Sequence, residues 1–238
     1  MGVTDLIRLL KPASRNIFIS ELSNQTAAID MMTWLYKGVY SCAFESSSDN
    51  YLNYPIKMLS LLSAHKITPI AVFDGHRFKP KSIEESNRRE SKQKNLDLAK
   101  KSIEEGKEEE AKKYSKQALR ITSKMINSLI EVLKRLKIKV VVAPYEADAQ
   151  IAHLCISGEA DFAITEDSDL ILFGAQKICY KLNHNGEGDY LDIKKFKETP
   201  IELISDPYCK IISKCLYNYI YLSNLTNLSN LFSRKDKA

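Results

Sequence analysis

The sequence predicts an α/β fold with a mostly parallel central sheet covered by helices on both faces. Four short apolar or β-branched runs, each bounded by polar or turn residues, have the length of buried strands. Segments with helical periodicity lie between these runs, and parallel strands require such crossover connections. With 44% apolar residues in 238, the chain can also fill one substantial core.

The predicted elements alternate along the chain. The four strands are TAAID (26–30), ITPIAVFD (67–74), IKVVVAPYE (138–146) and DFAITEDSD (161–169). Helical patterns include YPIKMLSLLSAHK (54–66) and ADAQIAHLCISG (147–158). The glycine-containing NGEGDY (185–190) is typical of a hairpin turn rather than of a phosphate-binding loop.

A long charged insertion separates the second and third predicted strands. It covers about 81–136, contains a single glycine, Gly106, and is predicted to form two helices. The first helix has no apolar stripe, so we expect it to be exposed to solvent or to project over another surface. The second has a stripe that can pack on the sheet, at Ile121, Met125, Leu129, Val132, Leu133 and Leu136.

The composition excludes several classes of protein. The net charge of +5 favours an anionic partner without requiring one. Five cysteines form no C-x-x-C pair and four histidines lack zinc-ligand spacing, so neither a disulfide framework nor a zinc site is indicated. No signal pattern or membrane-length apolar run is found, so we expect an intracellular protein with no membrane partner. The Walker loop, the G-x-G-x-x-G fingerprint and the G-x-S-x-G elbow are also missing.

Each of the four predicted strands ends in carboxylates. In a parallel α/β sheet the carboxyl ends of the strands share one edge, where such sheets bind ligands. A single acid after a strand is often only the N-cap of the next helix, but capping does not explain four strands, two of which have acids two residues apart. The acids are Asp30, Asp74, Glu146 with Asp148, and Asp167 with Asp169.

Clustered carboxylates need positive charge to offset their repulsion. Two of them about 4 Å apart repel by roughly 4 kcal/mol at an effective dielectric near 20. An all-oxygen ligand set selects Mg²⁺ or Mn²⁺ over zinc. The sequence therefore predicts a pair of divalent ions of the kind that hydrolyses phosphodiesters with water, without a side-chain nucleophile.

A basic segment directly follows Asp74. Taken alone, it is explained equally well as a solvated helix face. Next to an acidic metal edge, it is expected to guide a phosphate backbone. Its basic residues are Arg77, Lys79, Lys81, Arg88, Arg89, Lys92 and Lys94.

Six segments resemble the XPG/flap-endonuclease superfamily of structure-specific 5′ nucleases, and within it the exonuclease 1 type. They are MGVTDLIRLLKPAS (1–14), AIDMMTWLYKG (28–38), PIAVFDG (69–75), RRE (88–90), APYEADAQIAHL (143–154) and ITEDSDLILFG (164–174). They follow the family's order over about 200 of the 238 residues. The resemblance implies a PIN-like 5′-nuclease domain with a helical arch inserted at about 81–136.

The resemblance also implies roles for individual residues. The same six acids would hold two Mg²⁺ ions, for which Mn²⁺ can substitute, and Asp148 and Asp169 would be catalytic. Lys81 and Arg88 would lie on the arch and approach the scissile phosphate. Further DNA contacts are implied at Gly2, Tyr36, Arg89 and Lys92.

The chain departs from the family pattern at several positions. Met32 and Tyr36 stand where the family usually has Tyr and His, so base stacking or strand wedging is expected to differ. Ser91 replaces a residue that tends to be basic, which weakens the expected phosphate grip. Leu216 stands where the family has a seventh metal-site Asp, and no Gly-rich hairpin of a helix-two-turn-helix follows.

We predict a nuclease domain over 1–210, followed by a divergent tail. The domain divides into an N-terminal region of about 1–99, the helical insertion of about 81–136 and an internal region of about 138–210. The tail, 211–238, lacks the helix-two-turn-helix and is expected to be disordered or to result from a missed splice site or frame change.

The function implied is a Mg²⁺-dependent 5′ to 3′ exonuclease with 5′-flap endonuclease activity, acting in the nucleus in DNA repair, recombination or replication. Its partners would be DNA with 5′ ends, nicks, gaps or flaps, together with repair or replication proteins. Two alternatives stay open: a flap endonuclease of the same superfamily, and a truncated, nuclease-inactive DNA-binding protein.

Overall fold

The computed structural model describes residues 14–42, 50–76 and 82–193, except for the side chains of 82–89 and of Asp169. The predicted tail, 211–238, and the predicted DNA contacts Gly2 and Lys81 lie outside these residues. Within the described part, no helix is both long enough and apolar enough to cross a membrane.

The described strands form one seven-stranded sheet in the order β1-β7-β6-β5-β2-β3-β4. Strands β2 to β6 pair in parallel with their neighbours, whereas β7 is antiparallel to both β6 and β1. The predicted, mostly parallel α/β sheet is therefore confirmed. The strands are β1 (Ser14–Phe18), β2 (Thr26–Asp30), β3 (Thr68–Phe73), β4 (Lys139–Val142), β5 (Phe162–Thr165), β6 (Lys177–Tyr180) and β7 (Glu187–Asp192).

Seven α-helices connect or flank the described strands. They are α1 (Met31–Ser41), α2 (Asn53–Ala64), α3 (Ser82–Glu104), α4 (Glu108–Gln117), α5 (Ser123–Arg135), α6 (Ala147–Ile156) and the single turn α7 (Asp169–Leu172). Two short 3₁₀ helices, Ile19–Leu22 and Asn50–Leu52, precede β2 and α2.

Alternation along each strand creates a core on both faces of the sheet. In β2, Ala27 and Ile29 face the cluster that contains Trp34 of α1, whereas Ala28 faces the cluster that contains Ile151 of α6. All five side chains are at most 3% exposed. Because both faces are apolar, the strand reads as a continuous hydrophobic run, as expected for buried parallel strands.

The insertion contains three helices rather than the two predicted. Within 90–104, where its side chains are described, helix α3 is mostly exposed. Ala99 and Ser102 are buried where α3 packs against α4, in which Ala111 is also buried. The chain reverses at Gly106, which has φ +71° and therefore a conformation that favours glycine. The short, highly charged α4 was not distinguished in the sequence because it buries so little apolar surface.

The apolar stripe predicted for the last helix of the insertion is largely confirmed. Leu129 and Leu133 of α5 are fully buried, and Ile121 and Met125 pack against the same core. Val132 is only partly buried, and Leu136 has 52% of its surface exposed. Helix α5 ends at Arg135, so the helical spacing no longer directs Leu136 towards the sheet.

Strands β1, β6 and β7 were not predicted. β6 and β7 form an antiparallel hairpin, in which Oδ1 of Asn183 accepts hydrogen bonds from the backbone N–H groups of Asn185 and Glu187. The predicted turn at 185–190 is thus correct for its first two residues only, because β7 already starts at Glu187. Side-chain bonding of this kind stabilises a turn locally.

The order of the crossovers places a switch point between β2 and β5. The chain passes from β2 to β3 and β4 on one side, and then returns to the other side of β2 to form β5 and β6. Helix α6, which makes this return, packs on β2, β3 and β5. Ligands of open α/β sheets bind at the carboxyl ends of strands around such a point.

Candidate active site

The four acid-bearing strands are neighbours in the sheet, in the order β5-β2-β3-β4, and all of them are parallel. Their carboxyl ends therefore meet at one edge, which we call the acidic edge. It carries, at or just after the ends of these strands, Asp30, Asp74, Glu146, Asp148, Asp167 and Asp169. Of Asp169 only the backbone position, at the start of α7, is described.

Asp30 is the last residue of β2 and the N-cap of α1. Its Oδ1 accepts hydrogen bonds from the backbone N–H groups of Met32 (2.9 Å) and Thr33 (3.3 Å), and its Oδ2 accepts one from the Thr33 hydroxyl. The N-cap interpretation is therefore correct for this residue. Capping fixes the direction of the carboxylate at the edge, because both oxygens are held by the first turn of the helix.

Asp74 connects two of the acid-bearing segments. Its Oδ1 accepts a hydrogen bond of 2.8 Å from the N–H of Ala147, the first residue of α6. Next to it, Gly75 N–H donates to the carbonyl of Tyr145 (2.7 Å). The end of β3 is thereby fixed to the N-terminus of α6, whose positive dipole end stabilises the carboxylate.

The acidic edge contains a partly buried carboxylate next to a like charge. Burial raises the pKa of Asp30 above its ordinary value, and the nearby Asp74 carboxylate raises it further, whereas the hydrogen bonds from Thr33 and Met32 lower it in part. Two neighbouring carboxylates such as Asp30 and Asp74 favour the binding of a cation that offsets their charge.

Glu166, which lies between Thr165 and Asp167, is neutralised within the protein. Its Oε1 forms an ion pair with Nζ of Lys37 from α1, and this Nζ also lies 5.7 Å from the ring centroid of Tyr54. The residue-based predictions did not single out Lys37. Only the fold brings the two together, since they are 129 positions apart.

We expect Lys37→Gln to lower the free energy of unfolding by about 1 kcal/mol, because the ion pair is only partly exposed. Burial lowers the pKa of Lys37, but Glu166 and Tyr54 together raise it above the ordinary value. The contribution is therefore complete below the unfolded pKa of about 10.4 and is lost as the pH rises through the folded pKa. Urea unfolding at pH 7 to 11 measures this, with Lys57→Gln on the exposed face of α2 as the control. Equal stability of the two variants at pH 7 would contradict the prediction.

The donor chemistry of the acidic edge fits a hard divalent cation, because every predicted ligand supplies carboxylate oxygen. Asp74 accepts its hydrogen bond through Oδ1 alone, so among the described residues Oδ2 keeps its acceptor capacity. As the described side chains stand, no three His, Cys, Asp or Glu groups converge closely enough to hold an ion.

Three of the predicted basic contacts, Arg88, Arg89 and Lys92, lie on α3 of the helical insertion. The Lys92 ammonium in α3 is 6.0 Å from the ring centroid of Tyr36 in α1, so the fold brings these two predicted DNA contacts together. Arg88 and Arg89 belong to α3, but their side chains lie outside the described part.

The fold and the acidic edge define a class of protein. A mostly parallel sheet with acids after four adjacent strands, and a helical insertion between β3 and β4, is the fold of 5′-nuclease domains. The catalytic core of Rad2 in complex with DNA substrate shares it, with a TM-score of 0.62 and 25% identity over 83% of this chain and 57% of that chain. Human GEN1 in complex with Holliday junction DNA has the same fold, with a TM-score of 0.63, 20% identity, and coverage of 83% and 45%.

Sequence comparison defines the family. Residues 1–95 match the XPG N-terminal domain, and residues 137–217 match the XPG I-region. Exonuclease 1 of Drosophila melanogaster is 37% identical over 199 residues, which are 82% of this chain and 27% of that protein. Exodeoxyribonuclease 1 of Schizosaccharomyces pombe is 36% identical over 199 residues, which are 82% and 34% of the respective chains. The chain belongs to the XPG/flap-endonuclease superfamily and is exonuclease 1-like; it spans about a quarter to a third of the length of these curated relatives.

Proposed function

We propose that this chain is a Mg²⁺-dependent, structure-specific DNA nuclease with 5′ to 3′ exonuclease and 5′-flap endonuclease activity. The observation that carries the proposal is the acidic edge, where the partly buried Asp30 lies near Asp74 at the carboxyl ends of adjacent parallel strands. The names of the exonuclease 1 relatives support the reaction. The DNA in the Rad2 complex supports the substrate class.

The residues that would hold two Mg²⁺ ions, with Mn²⁺ as a substitute, are Asp30, Asp74, Glu146, Asp148, Asp167 and Asp169. Bound there, the ions would activate water and stabilise the charge on the leaving oxygen of a phosphodiester. The magnesium ion in the GEN1 product complex supports this type of cofactor.

The protein itself contributes by orienting the carboxylates of the acidic edge. Thr33 and Met32 hold the Asp30 carboxylate, and the Ala147 amide holds that of Asp74, so both are fixed before a substrate arrives. The Lys37 ammonium offsets Glu166, which lies next to the proposed metal ligand Asp167.

The DNA contacts would lie on the insertion and on α1. Lys81 and Arg88 are proposed to stabilise negative charge on the scissile phosphate. Tyr36 would stack on a base, with Lys92 beside it for the backbone. Gly2 and Arg89 are proposed as further contacts.

The biological setting rests on the same relatives. We propose that the protein acts in the nucleus, in repair, recombination or replication, with proteins of those processes as partners. The nuclease domain is proposed to cover 1–210, and the two family matches, which leave 96–136 between them, support an insertion in that part of the chain.

Cleavage of end-labelled DNA tests the proposal. We expect the purified chain to cut 5′-recessed and 5′-flap duplexes in Mg²⁺ but not in EDTA, because hydrolysis here needs divalent ions. Mononucleotide products identify an exonuclease, whereas release of intact flaps identifies a flap endonuclease. Salt-dependent binding without turnover in Mg²⁺ or Mn²⁺ would reject the enzyme and favour an inactive DNA-binding protein.

A further inference from the structure

The face of α1 that points away from the core carries two tyrosines one helical turn apart. The opposite face buries Trp34, Leu35 and Val39, whereas Tyr36 and Tyr40 remain 39% and 45% exposed. At a spacing of four residues, the two rings share one side of the helix, about 6 Å apart along its axis. Large exposed aromatic rings in such a row form a surface on which planar groups can stack.

Each of these rings is paired with a lysine from the insertion. The ammonium of Lys116 in α4 lies 4.9 Å from the ring centroid of Tyr40, and that of Lys92 in α3 lies 6.0 Å from the Tyr36 centroid. Both helices of the α3–α4 hairpin therefore approach the same face of α1. Aromatic rings alternating with basic groups are the combination that binds single-stranded nucleic acid, since bases stack on the rings and phosphates contact the cations.

Tyr36 and Tyr40 lie at increasing distances from the acidic edge. Helix α1 starts directly after Asp30. Tyr36 follows about 9 Å further along the helix axis, and Tyr40 about 15 Å. A strand with a phosphate at the acidic edge and a base on Tyr36 would therefore reach Tyr40 next.

We propose that Tyr40 and Lys116 form a second contact for the single-stranded 5′ part of the DNA, one helical turn beyond Tyr36. The proposal rests on the proposed function and adds a determinant of flap binding to it. A base stacks on Tyr40, and the Lys116 ammonium contacts the adjoining phosphate. A duplex with a recessed 5′ end has no displaced strand and does not use this contact.

Equilibrium binding by fluorescence anisotropy, in EDTA to prevent cleavage, tests the proposal. The two probes share one duplex, and one of them carries a 5′ flap of six thymidines. We expect Tyr40→Leu to weaken binding of the flap DNA about fivefold or more, with less than a twofold change for the recessed duplex. Tyr40→Phe keeps the ring and should bind both DNAs like the wild type.

Lys116→Gln gives a second readout that does not depend on the packing of a ring. We expect the slope of log affinity against log salt to fall by about 0.7 for the flap DNA, as for one lost phosphate contact on a single strand. Lys113→Gln, an exposed position on the same helix, is the matched control.

The alternative is that the Tyr40–Lys116 contact only docks α4 on α1. In that case Tyr40→Leu lowers the melting temperature and weakens both DNAs equally, or neither, which overturns the proposal. If the wild type binds and cleaves DNA while both variants behave like it, this inference alone fails. If the wild type binds neither DNA, the proposed function itself fails.

Discussion

Asp30→Asn is expected to abolish most DNA cleavage while leaving the fold and DNA binding intact. Removing one carboxylate from the acidic edge weakens metal binding, and a catalytic ion contributes several kcal/mol, so the rate should fall at least about a hundredfold. The amide oxygen can still accept the hydrogen bonds from the backbone N–H groups of Met32 and Thr33, because Asn is as good an N-cap as Asp. The amide NH₂ can donate to the Thr33 hydroxyl oxygen, which reverses the direction of that bond. Cleavage rates on a 5′-recessed duplex in Mg²⁺ measure the effect.

Asp30→Asn is also expected to change the stability of the protein. Because the folded pKa of Asp30 is raised, ionisation of this residue costs stability as the pH rises through the folded pKa. A neutral amide avoids that cost, so without metal Asp30→Asn should melt at or above the wild-type temperature. Mg²⁺ should raise the melting temperature of the wild type more than that of the variant.

Asp161→Asn is the control, since this acid accepts a hydrogen bond from Thr26 N–H at the opposite end of β2. It should cleave DNA at the wild-type rate. If Asp30→Asn also cleaved at that rate, Asp30 could not be a metal ligand.

Gly75→Ala is expected to destabilise the protein by about 3 kcal/mol or more, or to prevent folding. An added Cβ would lie 1.7 Å from the carbonyl oxygen of Ala143 and 2.9 Å from that of Pro144. Both atoms belong to the backbone that leads into α6, so no side chain can move aside. The two segments must separate, which pulls Asp74 away from the Ala147 amide and disorganises the acidic edge.

Gly106→Ala is the matched control for this effect. A Cβ there meets no atom within 4 Å, although the residue has φ +71°. Its expected cost is therefore only the roughly 1 kcal/mol of a left-handed backbone. Urea unfolding distinguishes the two variants, and equal midpoints would show that the contact at Gly75 is not a tight one. Activity per folded molecule should fall only in Gly75→Ala.

Strands β2, β3 and β5 could be predicted from the sequence because their central residues are buried on both faces. In these strands every buried residue except Thr165 is apolar, and the resulting runs are visible without any partner. The acids that follow these strands could be predicted for a related reason: strand direction alone places all of them at one edge.

Strands β1, β6 and β7 could not be predicted in the same way. β1 is exposed at three of its five positions, and β7 contains Gly188 and three acids. Pairing with a neighbouring strand, not local propensity, makes these segments extended. Helix α4 was missed for a related reason, since Ala111 is its one buried residue and its main packing partner is the neighbouring helix α3.

The sequence by itself determined the fold class, the set of acids and the edge on which they lie. Strand and helix segments alternate along the chain, which indicates parallel strands, and parallel strands place their carboxyl ends at one edge. The tertiary structure decided which side chains and backbone groups contact each other. Lys37 neutralises Glu166 from 129 positions away, Asp74 caps a helix to which it does not belong, and Lys116 reaches Tyr40 from another helix. Such contacts depend on the distances between packed elements, and no spacing along the chain encodes them.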